Sequence, residues 1–188
     1  MKMGIIAEDD SDVAVIREIT LLLLKPKPVS FVRFVGGGCG RLRRKCRAWA
    51  MDLMQRGCSW LIVVHDLDIY NEQKLRLELT ASIIPARAKA SVVLLPKREI
   101  EAWLLYDGYA IAGAFNESHP PRLPGNPESI NDPKKYLREL IWKKYRKEYL
   151  NTIHNALIAK QINVTCLRKC SSFFPHTVFV ETVKRMLA

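Results

Sequence analysis

Met3-Gly4-Ile5-Ile6-Ala7-Glu8-Asp9-Asp10-Ser11-Asp12 is an apolar run that ends abruptly in acids. Residues 3–7 suit a buried strand, and residues 9–24 follow with helical spacing, bringing Val13, Ile16, Ile19 and Leu23 to one side. Ser11 and Asp12 fit a capped, acid-rich first turn. A strand that runs straight into a helix is the repeating unit of a parallel α/β sheet.

The unit recurs along the first hundred residues. Residues 29–35 interleave Val and Phe as a second strand, which the glycines at 36, 37, 38 and 40 break. Residues 41–56 then read as a basic amphipathic helix with Leu42, Cys46, Trp49 and Leu53 inward. Residues 60–64 give a third buried strand, 71–84 a helix, 91–95 a fourth strand and 99–106 a helix start. The expected fold is α/β: a mostly parallel sheet of about four strands, helices on both faces, and right-handed crossovers.

The remainder has another character. Residues 116–133 hold five prolines, at 120, 121, 124, 127 and 133, and read as a surface loop or lid. Pro133 suits the first turn of a helix over 134–149. That helix puts Leu137, Leu140, Ile141 and Tyr145 on one side and crowds the rest with Lys and Arg. Two more helices are expected over 152–160 and 175–187. The chain therefore divides into an α/β core (1–115), a Pro-rich loop or lid (116–133) and a helical extension packed on the core (134–188).

Composition excludes several classes. The 188 residues are 48% hydrophobic, too apolar for a disordered chain. The longest aliphatic run, Leu21 to Leu24, is far short of a bilayer span. The first residues meet acids at Glu8, where a secretory signal would continue apolar, so a cytoplasmic protein is expected. The five cysteines are odd in number and loosely spaced, and only Cys166 and Cys170 are close, which gives no zinc set. Thirty Lys+Arg against nineteen Asp+Glu leave a net charge of +11, which suits a polyanionic partner.

Against that excess, the acids fall at the carboxyl ends of the strands, where α/β sheets gather functional groups. Glu8 ends the first strand and Asp12 lies one helical turn later; Asp66 and Asp68 end the third; Glu99 and Glu101 follow the fourth. Clustered carboxylates repel and resist ionisation, and a divalent cation removes that penalty. The Asp66-Leu67-Asp68 spacing suits this, because i and i+2 on a strand face the same way and both carboxylates can approach one ion. An acid at a strand end is also an ordinary helix cap, and each cluster taken singly fits that reading equally well.

Residues 5–12 resemble the start of a response-regulator receiver domain, with Asp66 at the phospho-acceptor position. The likeness stops there, since Leu67-Asp68-Ile69-Tyr70-Asn71 replaces the Met-Pro and Asp-Gly turn of receivers. A longer stretch is similar to the Toprim fold, specifically small bacterial Toprim-like proteins related to the overcoming-lysogenization-defect (OLD) nucleases. That pattern is a Glu after strand one, an acid four residues on, an Asp-x-Asp after strand three and a later Glu. Here these are Glu8, Asp12, Asp66 with Asp68, and Glu99 or Glu101, the last within Leu95-Pro96 through Glu99-Ile100-Glu101-Ala102-Trp103. The usual Gly after the first Glu is Asp9.

The resemblance implies Mg²⁺- or Mn²⁺-dependent cleavage of nucleic-acid phosphodiesters, in defence against phage or another mobile element, beside an ATPase or other defence-system partner. Asp66 and Asp68 would hold the metal, with Asp12, Glu99 and Glu101 as further ligands. Glu8 would serve as general acid/base or as ligand to a second ion. Glu101 would be the ligand and Glu99 a helper, since about 200° apart on a helix the two cannot point inward equally. Lys97 would neutralise charge at the phosphate. Arg41, Arg43, Arg44 and Arg47 on one helix, and Lys134, Lys135, Lys143, Lys144 and Lys147 on another, would carry the nucleic acid, with Trp142 either stacking a base or packing. His65 abuts Asp66 and either assists it or is structural. The alternative is a non-catalytic Toprim-like subunit that binds nucleic acid or a partner protein.

Overall fold

Four parallel strands carry the fold: β1 (Lys2–Ala7), β2 (Ser30–Val35), β3 (Trp60–Val64) and β4 (Ala90–Leu94), in the order β2-β1-β3-β4. The computed structural model describes residues 1–188, the side chain of Cys39 apart. Register aligns the carboxyl ends, pairing Ala7 with Val35, Ile6 with Val63 and Val64 with Leu94. Glu8 and the segments after β3 and β4 therefore emerge on one edge of the sheet.

Alternation along the strands divides the apolar residues into two layers. Met3, Ile5, Ala7, Ile62, Val64 and Leu94 face one side, under α1 (Asp10–Leu24) and the C-terminal helices. Ile6, Leu61, Val63 and Val93 face the other, under α2 (Cys39–Gln55) and α3 (Glu72–Ile83). The expected parallel α/β sheet with helices on both faces is the observed one. Among the described residues, no helix is long and apolar enough to cross a membrane.

Two boundaries differ from expectation for clear local reasons. The helix expected to begin over 99–106 is two pieces, α4 (Glu101–Leu104) and α5 (Gly108–Ala114). Asp107 starts the second by accepting the Tyr109 and Ala110 amides at 2.9 and 3.1 Å. The basic helix α6 (Pro133–Tyr145) stops four residues before the expected end, at Arg146, whose φ of 57° is left-handed. The chain then irregularly descends to Tyr149, which is 2% exposed, before α7 (Asn151–Gln161).

The C-terminal helices share the first apolar layer with the sheet. Ile158 and Ala159 of α7, and Phe179, Val180 and Val183 of α8 (Phe174–Leu187), are buried with Ile16, Ile19 and Trp103. Trp103 is fully buried, donates from Nε1 to Ser172 Oγ at 2.8 Å, and meets the edge of Phe173 at 5.1 Å. Burying an apolar side chain of this kind is worth about 1.5–3 kcal/mol.

The Pro-rich segment is strapped down. Glu128 accepts the Ser171 and Ser172 amides at 2.9 and 3.0 Å, Arg98 donates to Asn131 Oδ1 at 3.3 Å, and the Tyr145 hydroxyl donates to His119 O at 2.7 Å.

Candidate acidic centre

The loop from β1 into α1 is a capping box. Asp9 takes an extended conformation (φ −139°) and accepts the Ser11 and Asp12 amides at 2.7 and 3.0 Å, while Asp12 accepts the Asp9 amide at 3.2 Å. The position needs no left-handed residue, so Asp stands where the Toprim-like pattern carries Gly, and it does the capping expected of Ser11. The box holds Asp12 buried, one turn into the helix.

Glu8 reaches across to the end of β3. Its Oε1 accepts the Asp66 amide at 3.2 Å and lies 3.0 Å from His65 Nδ1. His65 Nδ1 is also 2.6 Å from Asp66 O. A carbonyl only accepts, so Nδ1 carries the hydrogen. Burial lowers the His65 pKa and favours the neutral ring, and Nε2 has no partner among the described residues. Burial, opposed by the Asp66 amide and by Lys134 and reinforced by Asp68 and Asp9, raises the Glu8 pKa to about 7.

Asp66 lies at the centre. Its Oδ1 is shut from solvent and has no hydrogen-bond partner among the described residues. Burial, then the charges of Asp12, Glu101, Glu8 and Asp68, pushes its pKa well above the usual aspartate range. Asp12 shifts the same way, from burial and from Asp9, Glu101 and Glu8. Glu101 is 1% exposed, and its Oε1 accepts from Asn155 Nδ2 at 3.1 Å and Tyr149 OH at 3.3 Å, with Lys134 Nζ at 3.8 Å. Tyr149 also bonds Asn155 Oδ1, and Asn155 bonds Ser11 Oγ at 3.2 Å, which ties Glu101 to the first turn of α1.

Four of the expected acids, Glu8, Asp12, Asp66 and Glu101, thus share one electrostatic site. Asp68 joins them from outside. The strand ends at Val64, and Asp68 is exposed with φ 44°, its carbonyl accepting from Arg98 Nη1 at 3.1 Å. The alternate-residue rule for strands does not reach it, so Asp66 and Asp68 do not share a strand face. Glu99 turns to the start of α6 and accepts the Lys134 amide at 2.9 Å. Among the described residues, no three His, Cys, Asp or Glu side chains stand ready to hold a metal ion.

The cation at the centre is Lys134. Burial opposes its charge, while Glu101, Glu99, Asp9 and Asp66 raise its pKa. Lys97, expected there, instead donates to Ser171 Oγ at 2.8 Å and lies 3.9 Å from Glu128. Reading the sequence alone missed Lys134 in this role, and missed Tyr149 and Asn155 altogether. No local motif marks them, because they meet Glu101 only through the packing of α6 and α7 on α4.

The basic residues sort into free and engaged. Arg41, Arg44, Arg47, Lys135, Lys143 and Lys144 are exposed. Arg43 is held by Glu78 at 2.6 and 2.8 Å with its guanidinium 5.2 Å from the Tyr70 ring centre. Lys147 donates to Phe115 O at 2.6 Å and pairs with Glu117 at 2.7 Å.

The chain belongs to the family described as Domain of unknown function (DUF4276), whose model matches residues 43–176. That span takes in Asp66, Glu101, Lys134, Tyr149 and Asn155 and leaves out Glu8 and Asp12. No curated protein and no solved structure matches the chain.

Proposed function

We propose that the chain is a Toprim-like, Mg²⁺- or Mn²⁺-dependent nuclease. One observation carries the reading: the buried, unpartnered Asp66 Oδ1 amid the charges of Asp12, Glu101 and Glu8. An orphaned carboxylate oxygen costs about 1–3 kcal/mol or more, and the donor set around it is all hard oxygen, which suits Mg²⁺ or Mn²⁺. Asp66 would hold the ion, with Glu8, Asp12 or Glu101 completing the set and Asp68 at its rim. A bound ion stabilises charge on a scissile phosphate.

The remaining chemistry falls to the chain. Glu8, with a pKa near 7, is suited to take or release a proton at neutral pH, and the Asp66 amide fixes its Oε1. Lys134 sets a positive charge beside Glu101 that an incoming phosphate would meet. The exposed cations of α2 and α6 suit a polyanion. A role in defence against phage or another mobile element, with an ATPase partner, belongs to the same proposal.

One observation favours a second reading, a non-catalytic subunit that binds nucleic acid or a partner protein: the carboxylates do not close into a ligand set as they stand. Cleavage assays with DNA and RNA in Mg²⁺ or Mn²⁺ separate the two. Metal-dependent cutting by the wild type that Asp66→Ala and Glu8→Ala abolish is the expected result. Equal activity in all three proteins would mark a contaminant and refute the nuclease.

A further inference from the structure

We infer that the groove between the Pro-rich strap and α6 seats one strand of unpaired nucleic acid, an inference that deepens the nuclease reading and rests on it. The groove has a volume of about 570 Å³. Pro121, Tyr136 and Leu140 give it apolar surface, and Arg122, Lys143, Lys144 and Glu139 give it charge. Tyr136, Glu139, Leu140, Lys143 and Lys144 recur at the three- and four-residue spacing that sets them on one face of α6.

The charges select the ligand. Arg122, Lys143 and Lys144 are exposed, and among the described residues none lies within ion-pair distance of a carboxylate, unlike Arg43 and Lys147. Three cations against the one carboxylate of Glu139 favour an anion. The apolar surface with an aromatic ring favours an anion that also carries flat faces. Phosphates joined by bases that stack on aromatic rings have both properties, and a paired helix has its bases turned away.

Position sets the groove apart from the acidic centre. Lys134, in the first turn of α6, stands 3.8 Å from Glu101, and Lys143 is nine residues further along the same helix. At 1.5 Å and 100° per residue this is about 14 Å along the axis and half a turn round it, so the groove opens on the face of α6 away from Glu101. A strand held on Lys143 and Lys144 would pass round the helix before another phosphate reached Lys134. The strap fixes the opposite wall, since Tyr145 holds His119 and Glu128 holds the Ser171 turn.

The test is fluorescence anisotropy of the full-length chain in chelator, where nothing is cut, with 15-nucleotide oligo-dT, 15-nucleotide oligo-U and a hairpin duplex. Three phosphate contacts on a single strand contribute about 2 to the slope of log affinity against log salt. Arg122→Ser with Lys143→Ser should lower the slope by about 1.4 and weaken strand binding roughly 50-fold at 50 mM salt relative to 1 M. Tyr136→Leu should weaken it without changing the slope. The dT and U arms show whether DNA or RNA is the tighter ligand. Equal affinity of wild type and the double variant, tighter binding of the duplex, or tighter binding of poly-glutamate would each overturn the inference. Metal-dependent cutting without strand binding in the groove would overturn it and leave the nuclease standing. Groove binding without cutting would support it and sink the nuclease.

Discussion

Replacing Glu8 by Gln should stabilise the metal-free protein above neutral pH. In the fold its carboxyl is raised from 4.5 to about 7, mainly by burial. The folded state therefore holds a proton that the unfolded chain has released between these values. Stability is highest below about 4.5, falls as pH rises through 7, and stays low above it. The rise corresponds to about 3 kcal/mol, which screening at a partly exposed side chain reduces to roughly 1–2 kcal/mol. Gln keeps the shape and the oxygen that accepts the Asp66 amide while removing the charge. At pH 8 in chelator, Glu8→Gln should melt about 2–8 °C above wild type, and at pH 4 the two should coincide. Adding Mn²⁺ to a hundred times its dissociation constant should raise the wild type by about 2.7 kcal/mol and the variant by less, which narrows the gap between them. Calorimetry at both pH values, with and without metal, reads all four terms. A variant less stable than wild type at pH 8 in chelator, or a difference independent of pH, would refute the electrostatic account.

Three further outcomes test the supports of the site. Tyr149→Phe removes a donor to Glu101 and a partner of Asn155 and should cost about 1–3 kcal/mol, read as a lower unfolding midpoint in urea; an unchanged midpoint would show that this buried network contributes nothing. Glu128→Gln weakens the charge-assisted bonds to the Ser171 and Ser172 amides, so hydrogen exchange at those amides and across 120–130 should quicken, whereas unchanged exchange would mean the strap is held elsewhere. Gly4→Ala would set a methyl 2.9 Å from Leu53 Cδ1 and 3.2 Å from Leu53 Cβ, forcing α2 away from β1 at a cost of about 1–3 kcal/mol, and a thermal midpoint equal to wild type would show that the contact yields freely.

What the sequence made legible was local. The five apolar residues of β3 and the alternating faces of β1 follow from burial on both sides of a parallel sheet, and no long-range fact is needed to read them. The acids at strand ends were legible for the same reason, because register follows from the strands themselves. Asp68 was misread because the alternation of a strand was carried past Val64, the strand end already legible, and nothing local announces that the chain turns left-handed four residues later. Lys97 and Lys134 are both lysines beside acids in the sequence, and only tertiary packing decides that one meets Ser171 and the other Glu101. Tyr149 escaped because the pattern extended α6 to it, whereas leaving the helix is what lets it point inward.

Helix α6 joins the two opposed charges of this protein. Its first turn is fixed from the acidic side, Glu99 taking the Lys134 amide and Glu101 facing the Lys134 ammonium. Its later turns carry Lys143 and Lys144, which no carboxylate among the described residues engages. The anchoring ties one cation, a third exposed, to the acidic side, while the free ones lie half a turn round the helix. A helix tied only by its apolar face could slide or tilt, and the spacing between Lys134 and Glu101 would then vary. With Pro133 buried at its start and Leu137 and Ile141 buried beneath, α6 behaves as a rigid spacer. The +11 excess acquires a geometry from this arrangement. Neutralising Lys134 should therefore disturb the acidic centre, while neutralising Lys143 should weaken strand binding and leave the centre intact.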